Sequence, residues 1–326
     1  MTQKIDWESQ IGRRVRLRDL YVFSSVVRLG SMAKAAQELR VSQPAVSEVI
    51  ADLEHGLGVK LLDRGPRGVN VTPSGAALER RSVAAFDELR QGIKELEFLS
   101  DPTVGEVRIG CPESISASIL QTIFEKFTSE YPRVVLEVDT VNTLSFAQQL
   151  RERKLDVVLA RGGWPIEDPQ LVTDFNVNTL CNDELVVVVG QRSPWAKRRK
   201  IDLADLHGER WILTAGDRWN HQVMSRAFRA RGLDLPAISI KTISVHLRAN
   251  MVATGQFVTT FPRSVVDLCG ERLALKVLPV DLPERHWPIK IATLKGRTVS
   301  PVVQRFIDCA RATAKAPRLI SRPISV

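Results

Sequence analysis

Gln43 and Ser47 stand four residues apart in the run Ser42–Gln43–Pro44–Ala45–Val46–Ser47. That spacing is one helical turn, so an amide and a hydroxyl share one helix face. A glutamine amide pairs with an adenine edge in two places, and small neighbours let such a helix enter a major groove. Ser31 and Lys34 lie just before, and Arg64 and Arg67 follow in the turn Asp63–Arg64–Gly65–Pro66–Arg67–Gly68. Arginines in a tight turn beside such a helix suit backbone phosphate or the minor groove. The candidate DNA contacts are therefore Ser31, Lys34, Gln43, Pro44, Ser47, Arg64 and Arg67, with Gln43 the base reader and Lys34 and Arg64 neutralising phosphate. The plainer reading of the same residues is a helical hairpin followed by a surface turn.

The elements that must hold these residues are legible from local chemistry. Leu17, Leu20, Phe23, Ser24 and Val27 have helical spacing, which predicts a helix from Arg16 to Leu29, ended by Gly30. Ser31 is placed to N-cap a second helix with Ala35, Ala36 and Leu39 on its apolar face. Arg40 and Val41 make a short turn. Ser42 caps a third helix, Pro44 sits in its first turn, and Val46, Val49, Ile50 and Leu53 form its buried side. Lys60 to Thr72 reads as a β-hairpin wing. Thr72–Pro73 starts a long helix running to about Leu99, in which Phe86, Leu89, Ile93 and Leu96 step like a coiled-coil seam. At 1.5 Å per residue it is about 40 Å long, and its single stripe calls for the same helix of a second subunit.

The chain of 326 residues is long enough for two or three domains, and 44% apolar with 25% charged residues is a globular balance. No apolar run reaches a membrane span, and Met1–Arg18 lacks the apolar core of an export signal; a cytoplasmic protein is expected. The net charge of +9 favours anionic partners, but it is spread unevenly. Residues 1–100 hold 15 basic against 13 acidic residues, and the rest holds 31 against 24. Cys111, Cys181, Cys269 and Cys309 are far apart, without metal-ligand spacing, and read as buried thiols. No Gly-rich nucleotide loop or Gly-flanked nucleophilic serine occurs, and no cofactor is expected.

Residues 16 to 100 resemble the N-terminal half of a LysR-type transcriptional regulator. The resemblance is carried by Phe23, Gly30–Ser31, Ala35–Ala36, Leu39, Ser42–Gln43–Pro44–Ala45–Val46–Ser47, Leu53–Glu54, Leu57–Gly58, Leu61, Arg64 and Thr72–Pro73–Ser74–Gly75. Two positions depart from that pattern: Leu62 stands where an aromatic is common, and Glu48 where a basic or neutral residue is more usual.

From Glu106 the pattern changes to alternating strand and helix. Strands are predicted at Val107–Gly110, Val134–Val138 and Asp156–Ala160, with helices between them at Ile119–Phe127 and Leu144–Arg153, a βαβαβ unit. A second set begins at Leu185–Val189 and continues through Val223–Arg231, Ile238–Ile243, His246–Thr254 and Phe257–Thr260. The chain is then expected to return to the first unit through Lys276–Val280 and Ile289–Leu294, ending in a helix from Pro301 to Ala314. This arrangement is similar to the bilobed effector domain of the same family, itself like periplasmic binding proteins. The expected architecture is α+β and multidomain: a winged helix-turn-helix domain over 1–72, a linker helix and hinge over 73–104, and an effector domain over 105–326. Within the last, lobe I is placed at about 105–180 and 271–314, and lobe II at about 181–270.

Ligands of open α/β sheets bind beyond the carboxyl ends of the strands. Those ends are Cys111–Ser116, Thr140–Thr143, Arg161–Trp164 and Thr259–Arg263. The candidate effector contacts are Ser114, Ser116, Thr143 and Arg161, with Trp219, His221 and Phe261 as a wall from the second lobe. Ser114, Thr143 and Arg161 match family positions by the resemblance. Helix N-termini near Ser114 and Thr143 suit an anion. The resemblance implies a regulator of transcription, not an enzyme, that binds double-stranded DNA and a small organic anion or sugar-like metabolite. It also implies assembly as a homodimer or homotetramer, with RNA polymerase as a further partner. The competing class is an α/β enzyme acting on a small acid, its N-terminal helices serving assembly; no nucleophile–base pair supports it.

Overall fold

Serine caps and left-handed glycines set the first elements. The computed structural model describes residues 15–65, 68–140, 143–162, 173–215, 219–283 and 286–315. Helix α1 spans Leu17–Leu29 and ends on Gly30 at φ 63°. Helix α2, Met32–Leu39, is capped by Ser31, whose hydroxyl accepts from the Lys34 N–H. Helix α3, Gln43–Leu57, is capped by Ser42 accepting from the Ala45 N–H, with Pro44 in its first turn. Between α2 and α3, Arg40 takes φ 56°, a left-handed conformation unusual for a side chain with a Cβ. Strands β1, Leu62–Gly65, and β2, Gly68–Val71, pair antiparallel as the wing. Phe23, Ala35, Val46, Ile50, Leu53 and Leu61 are the centre of one apolar core.

Two residues of the resemblance acquire physical reasons here. One Glu54 carboxylate oxygen on α3 accepts from the Leu61 and Leu62 N–H groups at 2.7 and 3.0 Å, fixing the start of the wing. Gly75 lies so close to the Leu61 carbonyl that an added Cβ would collide with it. Helix α4 then runs from Pro73 to Ser100. The expected seam divides along it. Phe86 packs edge-on against Tyr21 of α1, whereas Leu89, Ile93, Leu96 and Leu99 are 50–72% exposed.

The chain divides into two compact units inside α4, at Ile93/Lys94. The second contains two five-stranded sheets. Lobe I is built from β3 (Val104–Gly110), α5 (Glu113–Ser116), α6 (Ile119–Glu130), β4 (Arg133–Asp139), α7 (Thr143–Arg151), β5 (Val157–Arg161) and β6 (Phe175–Cys181). Lobe II follows with β7 (Leu185–Gly190), β8 (Trp211–Leu213), α8 (Trp219–Arg229), β9 (Ile238–Lys241), α9 (Val245–Ala253), β10 (Val258–Pro262), α10 (Arg263–Cys269) and β11 (Leu275–Val277). The chain returns to lobe I with β12 (Ile289–Leu294) and α11 (Pro301–Ala314). The sheet orders are β4-β3-β5-β12-β6 and β11-β7-β10-β8-β9.

Strands β4, β3 and β5 are parallel, as the βαβαβ pattern predicts. Two placements are corrected. Leu275–Val277 pairs with β7 and belongs to lobe II, so the return comes only with β12. A three-residue strand of alternating burial fits either sheet, and sequence carries no partner information for it. Phe175–Cys181 is an edge strand of lobe I absent from the expected set: Phe175–Asn176–Val177–Asn178 alternates, but Thr179 breaks the pattern after four residues.

Lobe I is held by a buried charge cluster. The Asp156 carboxylate accepts from the backbone N–H and the guanidinium of Arg108 and from Arg297 Nη2 at 2.8–3.1 Å, with Lys94 of α4 at 4.0 Å. Burial alone would raise the Asp156 pKa; the Arg108 hydrogen bonds and charge, with Lys94 and Arg297, outweigh it and hold the carboxyl below its usual value. A depressed folded-state pKa gives stability that is complete above the unfolded carboxylate pKa of about 3.9 and is lost as pH falls through the lower folded value. Asp156→Asn should therefore cost about 3 kcal/mol at neutral pH by taking the buried negative charge away from Arg108, Arg297 and Lys94. It should also flatten the acid limb of the stability curve, as read from urea melts between neutral pH and pH ~2.5. An unchanged acid limb would remove Asp156 as its source.

Candidate functional site

Two sets of side chains are expected to be functional, and each lies within one of the units. In the first, Gln43, Pro44 and Glu48 are exposed on α3, while Ser47 and Ala45 are half-buried on the same turns. Val46, Ile50 and Leu53 point the other way into the core. Ser31 caps α2 and Lys34 is exposed one turn in. The Gln43 amide is thus presented on a helix fixed by a cap and a full apolar face. Arg64 lies on wing strand β1. Arg67 lies outside the described residues, as do the arm Met1–Gly12 and the tail after Lys315. Arg28 pairs with Glu38, joining α1 to α2 behind this surface.

In the second unit the strand ends converge on one guanidinium. Arg161, at the end of β5, is 6% exposed. Its Nη1 pairs with Asp183, in the crossing between the lobes. Its Nε donates to the Ser114 hydroxyl at 3.2 Å, and its Nη2 to the Ser114 carbonyl, Ser118 Oγ and Ser264 Oγ at 3.1–3.3 Å. Ser264, at the start of α10 in lobe II, donates its own hydroxyl and N–H to Asp183 at 2.6 and 3.1 Å. Arg161 is therefore not a free cation awaiting an anion. Its donors are spent on both lobes and on the crossing between them. Nearby, Glu113 Oε1 of lobe I accepts from the His246 N–H and the Ser244 hydroxyl of lobe II at 3.2 and 3.4 Å.

The rest of the expected set is dispersed around this cluster. Ser116 bonds its own turn, donating to the Glu113 carbonyl at 2.9 Å. Thr143 begins α7. His221 is half-buried in the first turn of α8. Trp219 stacks on Trp287, with ring centroids 4.9 Å apart, and the Arg161 guanidinium lies over Trp287 at 5.4 Å. Phe261 is a correction: it is fully buried in lobe II, and Arg248 covers its ring at 4.5 Å. A two-sided strand, Val258–Pro262, carries no signal of which residues reach a cleft. Trp164 lies outside the described residues.

Sequence reasoning misses Asp183, Ser118, Ser264 and Trp287. Their contacts with Arg161 span 22 to 103 positions for the three polar partners, and no local pattern encodes them. Burial pushes the Cys111 thiol up to about 12 and, with Asp183 nearby, that of Cys181 up to about 11, so both stay protonated. Among the described residues no cluster of His, Cys, Asp and Glu has the make-up of a metal site, and no helix is long and apolar enough to cross a membrane.

Comparison with known proteins covers both units. The LysR substrate binding domain model matches residues 100–315, and the model for bacterial regulatory helix-turn-helix proteins of the lysR family matches residues 17–76. YybE of Bacillus subtilis, an uncharacterized HTH-type transcriptional regulator, is 29% identical over 88% of this chain and 95% of its own length. The HTH-type transcriptional regulator TdcA of Escherichia coli is 28% identical over 82% of this chain and 83% of its own. Among solved structures, the LysR family transcriptional regulator CbnR superposes with a TM-score of 0.60 at 19% identity, covering 93% of this chain and 100% of that one. Full-length CbnR complexed with its target DNA gives 0.53 at 21% identity, covering 92% and 100%. At those identities the structures speak to the fold. The matched family models decide the rest: the chain belongs to the LysR family of transcriptional regulators, with a helix-turn-helix DNA-binding part and an effector-binding domain.

Proposed function

We propose that this regulator reads its operator through Gln43 and Ser47 on α3, with Ser31, Lys34, Pro44, Arg64 and Arg67 as the surrounding contacts, and works as a homodimer or homotetramer in the cytoplasm. The observation that carries this reading is the exposure of Gln43 on a helix whose opposite side is fully committed to the core. A bidentate amide–adenine pair discriminates by about 1–3 kcal/mol, or roughly 5- to 150-fold. Gln43→Ala should lose that much selectivity between the operator and a scrambled duplex in gel-shift titrations, while its affinity for the scrambled duplex is kept. Selectivity retained in full by Gln43→Ala would take base reading away from this residue.

The effector is a small organic anion or sugar-like metabolite bound between the lobes, near Ser114, Ser116 and Thr143, with Trp219 and His221 on the far side. Arg161 supports this pocket by positioning Ser114 rather than by meeting the ligand first. Phe261 stands behind the pocket as core. The regulator's further partner is RNA polymerase. Thermal-shift screening of the full chain against carboxylates and sugars, repeated with Ser114→Ala, tests the effector class: a shift that survives in Ser114→Ala places the ligand elsewhere. The enzyme reading has no support, since the family is one of regulators.

A further inference from the structure

Lobe II carries a dense local run of positive charge. After β7 ends at Gly190, the chain turns through Ser193 and reaches Lys197–Arg198–Arg199–Lys200, four consecutive exposed cations. The segment is held at both ends. Ser193 is buried, and its hydroxyl accepts from the Trp195 N–H. The Trp195 indole donates to Glu209 at 2.9 Å. Past the tract, Ile201 and Leu203 are buried in the lobe II core. Two more exposed arginines join it. Arg192 lies against Gly255, and Arg210 lies over the Phe257 ring in the same turn region at 4.3 Å.

The nearby acids are already engaged. Glu209 accepts from Trp195, Asp202 pairs with Arg231 and accepts from the Ala204 N–H, and Asp205 accepts from the Asp202 N–H. Glu271 and Arg272 are adjacent and exposed in the turn before β11. Among the described residues, no carboxylate lies within 4 Å of any of the six cations. Since β7 begins beside Asp183 and runs away from it, the tract sits about 20 Å from the Arg161 cluster, at the opposite end of the sheet.

We infer that this face of lobe II, Arg192, Lys197–Lys200 and Arg210, is a second DNA-contacting surface that binds backbone phosphate without reading sequence. The inference rests on the DNA-binding function proposed for this regulator but not on Gln43. A protein partner is disfavoured by composition. Interface cores need large apolar or aromatic anchors, and among the described residues no large apolar side chain of the segment 190–212 is exposed, the exposed Ile243, Leu247 and Leu268 of lobe II belonging to other segments. A dense row of Lys and Arg with little apolar surface matches a phosphate backbone, where each neutralised phosphate releases condensed counterions.

That chemistry gives a direct readout. The slope of log affinity against log salt changes by about 0.9 for each phosphate that the protein ceases to neutralise. Full-length protein is titrated onto a long duplex of random sequence over a salt series. The tract variant combines Lys197→Gln, Arg198→Gln, Arg199→Gln and Lys200→Gln. A matched variant neutralises Lys126, Arg305, Arg311 and Lys315 of lobe I in the same way, controlling for net charge. The slope should become shallower by roughly 2 to 4 in the tract variant only, with an unchanged melting temperature and unchanged preference for the operator. Equal slopes in wild type and tract variant would overturn the inference. So would an equal change in the matched variant, or loss of binding to phosphatidylserine vesicles with an unaltered DNA slope. Failure of the wild type to prefer any operator would instead strike the DNA-binding reading itself.

Discussion

Replacing Arg161 with methionine should destabilise the effector domain by about 3–5 kcal/mol, the range for removing one partner of a buried pair. The change strands the Asp183 carboxylate, whose side chain is 3% exposed, with the Ser264 hydroxyl and N–H and the Glu184 N–H as its remaining donors among the described residues. It also takes a donor away from the Ser114 and Ser118 hydroxyl oxygens, while the Ser118 hydroxyl keeps its bond to the Ser114 carbonyl. The destabilisation belongs to the broken pair, so Arg161→Met with Asp183→Asn should be less destabilised than the sum of the single changes, with a coupling of about 2 kcal/mol. Tryptophan fluorescence during urea unfolding is a suitable measure, because Trp164, Trp195, Trp211, Trp219 and Trp287 all lie in the second unit and only Trp7 lies outside it. A cost under about 1 kcal/mol would mean that water reaches the cluster and screens it.

The second large effect concerns α4. Leu89, Ile93 and Leu96 are 50%, 57% and 66% exposed, an apolar stripe that the described residues leave uncovered. With a second copy of the helix as that cover, changing all three to glutamate places like charges along a dry seam. Sedimentation should then report a monomer. Because two DNA-binding parts no longer act together, operator affinity should fall by a factor on the order of 10² to 10⁴. Phe86 is left intact in this design, since its ring packs on Tyr21 and belongs to the DNA-binding unit. A triple variant that remains dimeric would put the subunit contact elsewhere.

What can be read from sequence follows the range of the interactions involved. Ser31 and Ser42 bond to N–H groups three residues away, and Pro44 acts on its own turn, so the helix pair is legible residue by residue. The parallel strands of lobe I are legible because their apolar runs alternate with helical ones. The Arg161 cluster is not, because its partners come from both lobes and from a crossing segment with no pattern of its own. Arg161 itself stands out in the sequence as a strand-end cation, yet its surroundings turn it from a ligand group into a support. The seam reads in sequence as one stripe of four residues. Tertiary packing gives Phe86 to α1 and leaves the other three exposed.

The lobes are joined by two crossings, the short one from Cys181 to Leu185 and the later one between Val277 and Ile289, and a bridge pairs Glu184 of the first with His286 of the second. Two neighbouring tethers bonded to each other define an axis. Swinging one lobe about that axis mainly adjusts backbone torsions within a few residues, as a hinge requires. Sliding the lobes sideways would tear the Glu184–His286 bridge and the salt link between Arg161 and Asp183 together. The paired crossings thus oppose sliding of one lobe over the other more than turning about the tethers.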